Sequence, residues 1–387
     1  MLKKMLIRLA LLINLLTCFF IVLSNSNPYY NIQKIAESLH AKFQEPVPKW
    51  VVNQIASDLE GSFAITSEGI DETFKNYKGL IIRYKVVNGN IDIQFNKGNW
   101  CNHPVSFFVT LWLKELNGYV SLPNVDFLMV LDDEVGQQCS VPVLGFCKKI
   151  NDKNILLIPD YQVFHAIQPV NVLGALEFNI FQKISDAVEC YPWNKKESKA
   201  IWRGTDTGGK YTINTYEQLP RVQLVNLSNK YPNILDAKFN GLHNKDSAII
   251  NKFKELNYMG SFLTIEDNLK YKYQILMDGN TASWPGAYWR FHSNCLVLKQ
   301  DSENIQWYYS LLKPNEHYIP FAKNTEDLIE KIQWAMDNDE QVQQIVKNAN
   351  ELCAKCLTYA DILYYFYIVI KVYAKLQNIK LSNNGSV

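Results

Sequence analysis

Short apolar strands that alternate with amphipathic helices constrain the fold of this chain more than any other feature. The predicted strands fall into two runs, at 125–131, 142–146 and 154–158, and then at 200–202, 234–239, 273–277, 295–299 and 318–319. Predicted helices lie between or after them, at 104–116, 216–230, 304–311, 324–337 and 340–356. Strands that are covered by helices on both faces read as short apolar runs, so this alternation predicts parallel α/β sheets.

The two runs of strands indicate two Rossmann-like lobes that are separated near residues 165–195. A length of 387 residues agrees with more than one domain. Asn88-Gly89 lies between two β-rich segments and predicts a hairpin over 81–95, because this dipeptide readily adopts the positive φ angles of a two-residue turn. Two or three short helices are expected before it. The predicted units are an N-terminal lobe at 27–170, a C-terminal lobe at 171–358, and residues 359–387, whose helix packs back on the first lobe.

The N-terminus has the pattern of an export signal. Lys3, Lys4 and Arg8 precede or enter an apolar run from Met5 to Leu23. A run of this length can be a cleaved signal peptide or can cross a bilayer as a signal anchor, with its basic end in the cytoplasm. Either interpretation places the remaining chain outside the cytoplasm, in a secretory-pathway lumen or a periplasm. A buried core helix is the third possibility, and segment 1–26 is assigned to the signal or anchor.

Charge and composition exclude some partners. The net charge is +1 and the sequence has no basic block, so no nucleic-acid partner is expected. Aromatic residues make up 13% of the chain, which fits a well-packed core as well as it fits sugar binding. Cys353 and Cys356 have the spacing of a metal or redox pair, but no second pair of ligands lies nearby in sequence. We therefore expect ordinary helix cysteines and no metal site.

Polar turns that contain glycine follow two strands of the second run. The first is Trp202 to Gly208, and the second is Met277 to Trp284. In open α/β sheets, ligands bind outside the carboxyl ends of the strands. Arg221 begins the helix after the first turn, and Arg290 lies in the helix after the second. Small residues, helix starts and arginines suit phosphate oxygens, so the pattern is typical of a diphosphate site, although ordinary loop-capping turns use the same residue types.

Eight blocks of the sequence, in this order, resemble glycosyltransferase family 90, which includes capsule-associated proteins, protein O-glucosyl- and O-xylosyltransferases, and lipopolysaccharide-modifying enzymes. They span the second half of the chain, and the resemblance extends over roughly residues 120–375. The blocks begin at Trp202 (WRGT), Pro220 (PR), Asp236 (DAKF), Lys270 (KYKY), Asp278 (DGNTASW), Leu296 (LVLKQDS), Trp307 (WYY) and His317 (HYIP).

The resemblance implies a GT-B fold of two Rossmann-like lobes with a cleft between them, and UDP-sugar bound mainly by the second lobe. It also implies inverting transfer to a hydroxyl group without a metal or other cofactor. By the same resemblance, the residues that bind the UDP-sugar are Arg203, Gly204, Thr205, Arg221, Gly279, Asn280, Thr281, Ala282, Ser283 and Arg290. The role of Arg290 is the least direct of these, because six residues separate it from Ser283, whereas relatives have their arginine two positions after the serine.

Inverting transfer needs a carboxylate that removes the proton of the acceptor hydroxyl. A strong predicted strand ends in Asp132-Asp133-Glu134. The family has its catalytic aspartate at this strand end, and the resemblance selects Asp133 as the general base. A solvated acidic strand end is the alternative. Tyr161 and Phe164 are candidate platforms for the acceptor, although two aromatic residues in a core would look the same.

The sequence thus predicts an exported or membrane-anchored enzyme that moves glucose or xylose from a UDP-sugar to a hydroxyl of a glycan, such as lipopolysaccharide, or of a protein. A protein that has kept the fold and binds a sugar or nucleotide without turnover is the alternative. Release of UDP would distinguish them.

Overall fold

The computed structural model describes residues 32–60, 65–98, 103–133, 135–136, 139–161, 184, 187–244 and 246–377. The predicted signal or anchor at 1–26, and much of the predicted boundary at 165–195, lie outside these residues. The described residues contain two five-stranded sheets, together with helices before, between and after their strands. The predicted α/β class with parallel strands is therefore confirmed.

The first sheet combines antiparallel and parallel strands. The elements of this part of the chain are α1 (Ile32–Gln44), α2 (Lys49–Asp58), α3 (Ser67–Asn76), β1 (Ile81–Val87), β2 (Asn90–Phe95), α4 (Pro104–Tyr119), β3 (Val125–Val130), β4 (Val143–Gly145), β5 (Lys148–Lys149) and β6 (Ile155–Leu157). The strand order is β2-β1-β3-β4-β6, in which β1 is antiparallel to both of its neighbours and β3, β4 and β6 are parallel.

The predicted hairpin is confirmed. Strands β1 and β2 pair so that Val87 faces Asn90, which leaves Asn88 and Gly89 as the two turn residues. Their φ angles are 49° and 76°. Positive φ at both positions matches the right-handed twist of the strands, and asparagine and glycine tolerate it best.

The second sheet is entirely parallel. The elements of this part are β7 (Glu197–Thr205), α5 (Pro220–Lys230), β8 (Leu235–Gly241), α6 (Ser247–Glu255), α7 (Ile265–Asn268), β9 (Tyr271–Leu276), α8 (Gly286–Phe291), β10 (Leu296–Gln300), β11 (Asn304–Ile305), β12 (Ile319–Phe321), α9 (Leu328–Asp337), α10 (Asp339–Cys356) and α11 (Tyr359–Gln377). The strand order is β12-β10-β9-β7-β8, and all neighbours run parallel.

The direction of winding reverses between β7 and β9. The chain passes from β7 outward to β8, and then returns to place β9 on the other side of β7. The crossovers on the two sides of such a point lie on opposite faces of the sheet, so a crevice opens at the carboxyl ends of the two strands. This strand order predicts a ligand site next to the turns that follow Thr205 and Leu276.

Helix α11 packs on the first sheet. The Tyr373 hydroxyl donates a hydrogen bond of 3.0 Å to the Pro142 carbonyl oxygen. The Gln377 amide accepts from the Asp126 N–H at 3.0 Å and donates to the Asp126 carbonyl at 2.6 Å. The hydrophobic core around the first sheet also includes Leu276 and Tyr288, which come from the second part of the chain. The two sheets therefore share packing contacts near the crevice.

One predicted helix is wrong, and another begins later than predicted. Residues 304–311 form strand β11, which pairs with β5, and a 3-10 turn at Tyr309–Leu311. The intervening Trp307 is fully buried, and tertiary contacts of this kind override helical propensity. The predicted helix at 216–230 is divided into a 3-10 turn at Tyr216–Gln218 and helix α5. Pro220 causes the break, because a proline disfavours helical geometry in the preceding residue, and Leu219 is extended.

None of the described helices is by itself long and apolar enough to span a membrane. Helices α10 and α11 reach that length and apolar composition only together, and they are bent by 58° where they meet.

Candidate active site

A cavity of about 1030 Å³ lies at the carboxyl ends of β7 and β9 and extends to the end of β3 in the first sheet. All the predicted site residues that the structure describes contribute to its walls. They are Asp133, Tyr161, Arg203, Gly204, Thr205, Arg221, Gly279, Asn280, Thr281, Ala282, Ser283 and Arg290. Phe164, the remaining predicted site residue, lies outside the described residues. We call this space the first cavity.

The turns after β7 and β9 touch each other, and glycine makes the contact possible. Gly208 has a φ of 88°, and a Cβ atom there would lie 2.9 Å from the Gly279 carbonyl oxygen. A Cβ at Gly279 would lie 2.7 Å from Thr207 Oγ1 and 2.8 Å from Arg221 Nη2. A side chain at either position would collide with the neighbouring turn. Glycine therefore lets the backbones of the two turns approach each other beside the cavity.

Arg221 is held by backbone oxygens from both turns. Its Nη1 donates to the Thr205 carbonyl at 2.7 Å, and its Nε donates to the Asp278 carbonyl at 2.9 Å. The guanidinium also lies over the Trp202 ring, 5.4 Å from the ring centroid. The side chain is buried, and this burial lowers the pKa of Arg221. The position of the cation is thus fixed before any ligand binds.

Arg290 is a second buried cation on the same cavity. Its Nη1 donates to the Gly286 carbonyl at 2.9 Å, and its guanidinium lies 4.3 Å from the Trp289 ring centroid. The buried Nε has no hydrogen-bond partner among the described residues. Burial, and secondly the nearby Arg221 cation, lower the pKa of Arg290 to about 9. Although six residues separate it from Ser283, the structure brings Arg290 to the wall that Arg221 also lines.

Within the described part of the chain, no carboxylate lies within ion-pair distance of Arg221 or Arg290, although the charges of Asp278 and Asp206 act on Arg221 from further away. Burial of a cation without a paired carboxylate is costly, and the cost falls when an anion binds. Phosphate oxygens accept two parallel hydrogen bonds from a guanidinium, which makes a diphosphate a suitable anion. The first cavity therefore has the electrostatic character of an anion site.

Arg203 differs from these two arginines. It forms two hydrogen bonds of 2.9 Å with the Asp236 carboxylate and another with the Trp202 carbonyl. Its guanidinium is thereby used to join β7 to β8. The side chain lines the cavity, but its charge is already neutralised by Asp236.

Asp133 lies where the first cavity meets a second one. The second cavity measures about 880 Å³ and borders the start of β1, with Lys78, Gly79 and His103 in its wall. Three residues are common to both cavities: Asp133, Gly279 and Asn280. Asp133 is exposed, and its Oδ2 lies 3.4 Å from the side-chain nitrogen of Asn280. A group that faces two cavities can contact two substrates at once.

The neighbouring acids are placed differently. The Asp132 carboxylate accepts a hydrogen bond of 3.1 Å from the Leu80 N–H, and it lines only the second cavity. Glu134 lies outside the described residues. Of the two aspartates, Asp133 alone borders the first cavity, and its role as the base stays a prediction.

Tyr161 packs among aromatic side chains and also forms part of the wall of the first cavity. Its ring centroid lies 5.8 Å from that of Phe146 and 6.5 Å from that of Trp284. It does not line the second cavity. Tyr161 therefore packs with other aromatic side chains and also borders the first cavity, and its role as an acceptor platform stays a prediction.

Several wall residues were missed by sequence reasoning. Phe262 is 72% exposed although it is large and apolar, and it lines the first cavity. Its occurrence in the short loop between Gly260 and Thr264 could have drawn attention to it. Lys78 and His103 line the second cavity, and nothing in their sequence context marks them.

Among the described residues, no three histidine, cysteine, aspartate or glutamate side chains converge as metal ligands would. Cys353 and Cys356 are both free thiols on helix α10, and Cys353 is buried. The expectation that transfer needs no metal stays a prediction.

Comparison with known proteins gives a family match over most of the chain. A model of glycosyl transferase family 90 matches residues 46–386. This range extends further toward the N-terminus than the motif blocks, which begin at Trp202.

Similar curated proteins are named protein O-glucosyltransferases. The human protein O-glucosyltransferase 3 is 30% identical over 343 residues, which cover 84% of this chain and 62% of that protein. Protein O-glucosyltransferase 2 of Danio rerio is 29% identical over 70% of this chain and 51% of its own length. This chain thus spans about three fifths of the human relative. The crystal structure of TarM aligns with 49% of this chain and 36% of its own, at 13% identity and a TM-score of 0.32.

Proposed function

Because this chain belongs to glycosyl transferase family 90, we propose that it is an inverting enzyme that transfers glucose or xylose from a UDP-sugar to an acceptor hydroxyl. The two sheets are the centres of the two Rossmann-like lobes of a GT-B fold, with residues 27–170 on the acceptor side and 171–358 on the nucleotide side. Helix α11, within 359–387, packs on the first lobe, and the first cavity is the cleft between the lobes.

Two buried arginines support the assignment of the first cavity as the donor site. Arg221 and Arg290 are buried cations without carboxylate partners among the described residues, and both line a cavity at the point where the winding of the sheet reverses. A UDP-sugar brings two negatively charged phosphates to this position. The Gly279–Ser283 loop and Thr205 then lie against the diphosphate and sugar, with the backbone close enough to donate hydrogen bonds.

In the proposed reaction, Asp133 acts as the general base. The acceptor oxygen attacks the anomeric carbon from the side opposite the diphosphate, while the Asp133 carboxylate takes the proton of the hydroxyl. The bond between the anomeric carbon and the phosphate oxygen breaks, and its electron pair leaves with UDP. Arg221 and Arg290 stabilise the charge that develops on the departing diphosphate, so no metal is required in this proposal.

The second cavity provides the route for the acceptor. It reaches Asp133 from the side of β1, whereas the anion site reaches Asp133 from the second sheet. Similar proteins are named protein O-glucosyltransferases, which favours glucose as the sugar and a protein hydroxyl as the acceptor. A glycan hydroxyl is the other acceptor class. Segment 1–26 would direct export, either as a membrane anchor at 5–23 or as a signal peptide that is cleaved. The enzyme would then meet acceptors that are themselves exported.

The test is release of UDP from UDP-glucose and UDP-xylose, with and without serine-containing peptides or glycans. A glycosyltransferase should release UDP slowly with water alone and faster with the correct acceptor. A protein that only binds the nucleotide would raise its melting temperature with UDP and release none from the sugar nucleotides. That outcome would contradict the proposed enzyme.

A further inference from the structure

The Asn280 side chain connects the two parts of the active site. Its Oδ1 accepts a hydrogen bond of 3.1 Å from the Gly208 N–H, in the turn after β7. Its Nδ2 points to Asp133 Oδ2, 3.4 Å away, at the end of the first sheet. Asn280 lies in the turn after β9, so a single amide joins three strand ends.

The Gly208 contact determines which end of the amide faces Asp133. A backbone N–H can only donate, so the atom that it meets must be the amide oxygen. The NH₂ group is then directed at the Asp133 carboxylate, where it can only donate. Among the described residues, no other hydrogen-bond donor to the Asp133 carboxylate is found.

We propose that Asn280 is a positioning residue for Asp133, in addition to its place in the wall of the donor site. This inference rests on the proposed function. A general base must present one carboxylate oxygen to the hydroxyl in a fixed direction, and an exposed aspartate at a strand end rotates freely unless it is held. The Asn280 amide holds Oδ2, and Gly208 holds the amide. The 3.4 Å separation is long, and catalytic hydrogen bonds commonly shorten once substrates are bound.

Other charged groups also face this junction. Asp132 is adjacent in the chain and accepts from the Leu80 N–H. Lys78 and His103 border the second cavity, and Arg221 and Arg290 border the first. Because all of these are unchanged in a variant of Asn280, a shift of the pH profile in such a variant reports the side chain at position 280.

Two variants separate the contacts of Asn280. In Asn280→Asp, a carboxylate oxygen still accepts from Gly208, but the donor to Asp133 is lost and a like charge is placed beside it. In Asn280→Ala, both contacts are lost without added charge. Asn348→Asp makes the same chemical change on helix α10, where the amide donates to the Glu316 carbonyl outside both cavities.

The measurement is the rate of UDP release from UDP-glucose against pH, together with the affinity for UDP. We expect Asn280→Asp to lower the rate about tenfold or more at neutral pH, a loss equivalent to about one hydrogen bond to a charged group. The acidic limb of its pH–rate profile should move to higher pH, because two neighbouring carboxylates resist ionising together. Asn280→Ala should lower the rate with a smaller shift in the same direction, because it removes the donor to Asp133 without adding a charge. Asn348→Asp should match the wild type in rate, pH profile and UDP affinity. All rates are compared at saturating UDP-glucose, so that a change in donor affinity does not account for the loss.

Three results would overturn the inference. If Asn280→Asp keeps the wild-type rate and the wild-type acidic limb of the pH profile, Asn280 only secures the Gly208 turn. This conclusion holds whether or not Asn280→Ala loses rate. A loss of UDP affinity that accounts for the loss of rate would make Asn280 a donor-binding residue only. A wild-type chain that releases no UDP from UDP-glucose or UDP-xylose would overturn the proposed function and this inference with it. If wild type is active and Asp133→Asn is not, the function stands whatever the Asn280 variants do.

Discussion

The Arg221 guanidinium donates a hydrogen bond of 2.7 Å to the carbonyl oxygen of Thr205, the last residue of β7. The same side chain bonds the Asp278 carbonyl in the turn after β9. A single cation therefore links the two strand ends between which the winding of the second sheet reverses. These bonds use Nη1 and Nε, and among the described residues Nη2 donates no hydrogen bond to the protein, which suits a phosphate oxygen.

Arg221→Ala should weaken the binding of UDP by about 1.5–3 kcal/mol, because a charge-assisted hydrogen bond to the diphosphate is lost. Lys230→Ala, at the other and exposed end of helix α5, is the matched control and should bind UDP normally. Isothermal calorimetry gives both affinities, and thermal melting shows whether each variant is folded. A folded Arg221→Ala protein with wild-type affinity would remove Arg221 from the donor site.

Phe262→Ala should weaken the binding of UDP-glucose. Phe262 is 72% exposed in the wall of the first cavity, where its ring can stack on the uracil base or on the sugar. Stacking of a base on an aromatic side chain contributes about 1–3 kcal/mol. Ile213→Ala, at a residue that is 46% exposed and does not line the cavity, is the control. Because Phe262 contributes little to the core, its variant should melt at the wild-type temperature. Unchanged affinity for both UDP and UDP-glucose would contradict a ligand contact.

A reporter fused to the C-terminus should be active if it functions only outside the cytoplasm, and inactive if it functions only inside. The physical reason is that Lys3 and Lys4 precede the apolar run and are retained on the cytoplasmic side. Replacing both lysines by glutamate should reduce the export of the fusion. Activity of a cytoplasmic reporter on the wild-type sequence would show that residues 5–23 do not direct export.

Much of the fold could be predicted because its signals are local. Asn88-Gly89 specifies its own turn, and the apolar strands of the second sheet specify a parallel arrangement by their alternation with helices. The failure at 304–311 has the opposite cause. Strand β11 exists because its backbone pairs with β5, about 155 residues earlier in the chain, and no local pattern reports such a partner.

The sequence predicts the turns that form the candidate site, but it does not predict which charged side chains in the site are paired with each other. Arg203 and Arg221 are equivalent as sequence features, since each belongs to a motif block at a strand end or helix start. Only the structure shows that Asp236 neutralises Arg203, whereas Arg221 meets backbone carbonyls. The second cavity was not predicted at all, because its wall combines the start of β1, the end of β3 and two turns of the other sheet.

The role of Asp133 is tested most directly by the initial rate of UDP-sugar turnover by Asp133→Asn at saturating UDP-glucose, measured beside the UDP affinity of the same protein. The asparagine keeps the shape of the side chain but cannot accept the proton of the hydroxyl, so the rate should fall by about 10²–10⁴ while UDP affinity hardly changes. Asp132→Asn and Glu134→Gln should each lose far less. Near-native turnover by Asp133→Asn, with or without a loss in one of its neighbours, would contradict the assignment of Asp133 as the general base.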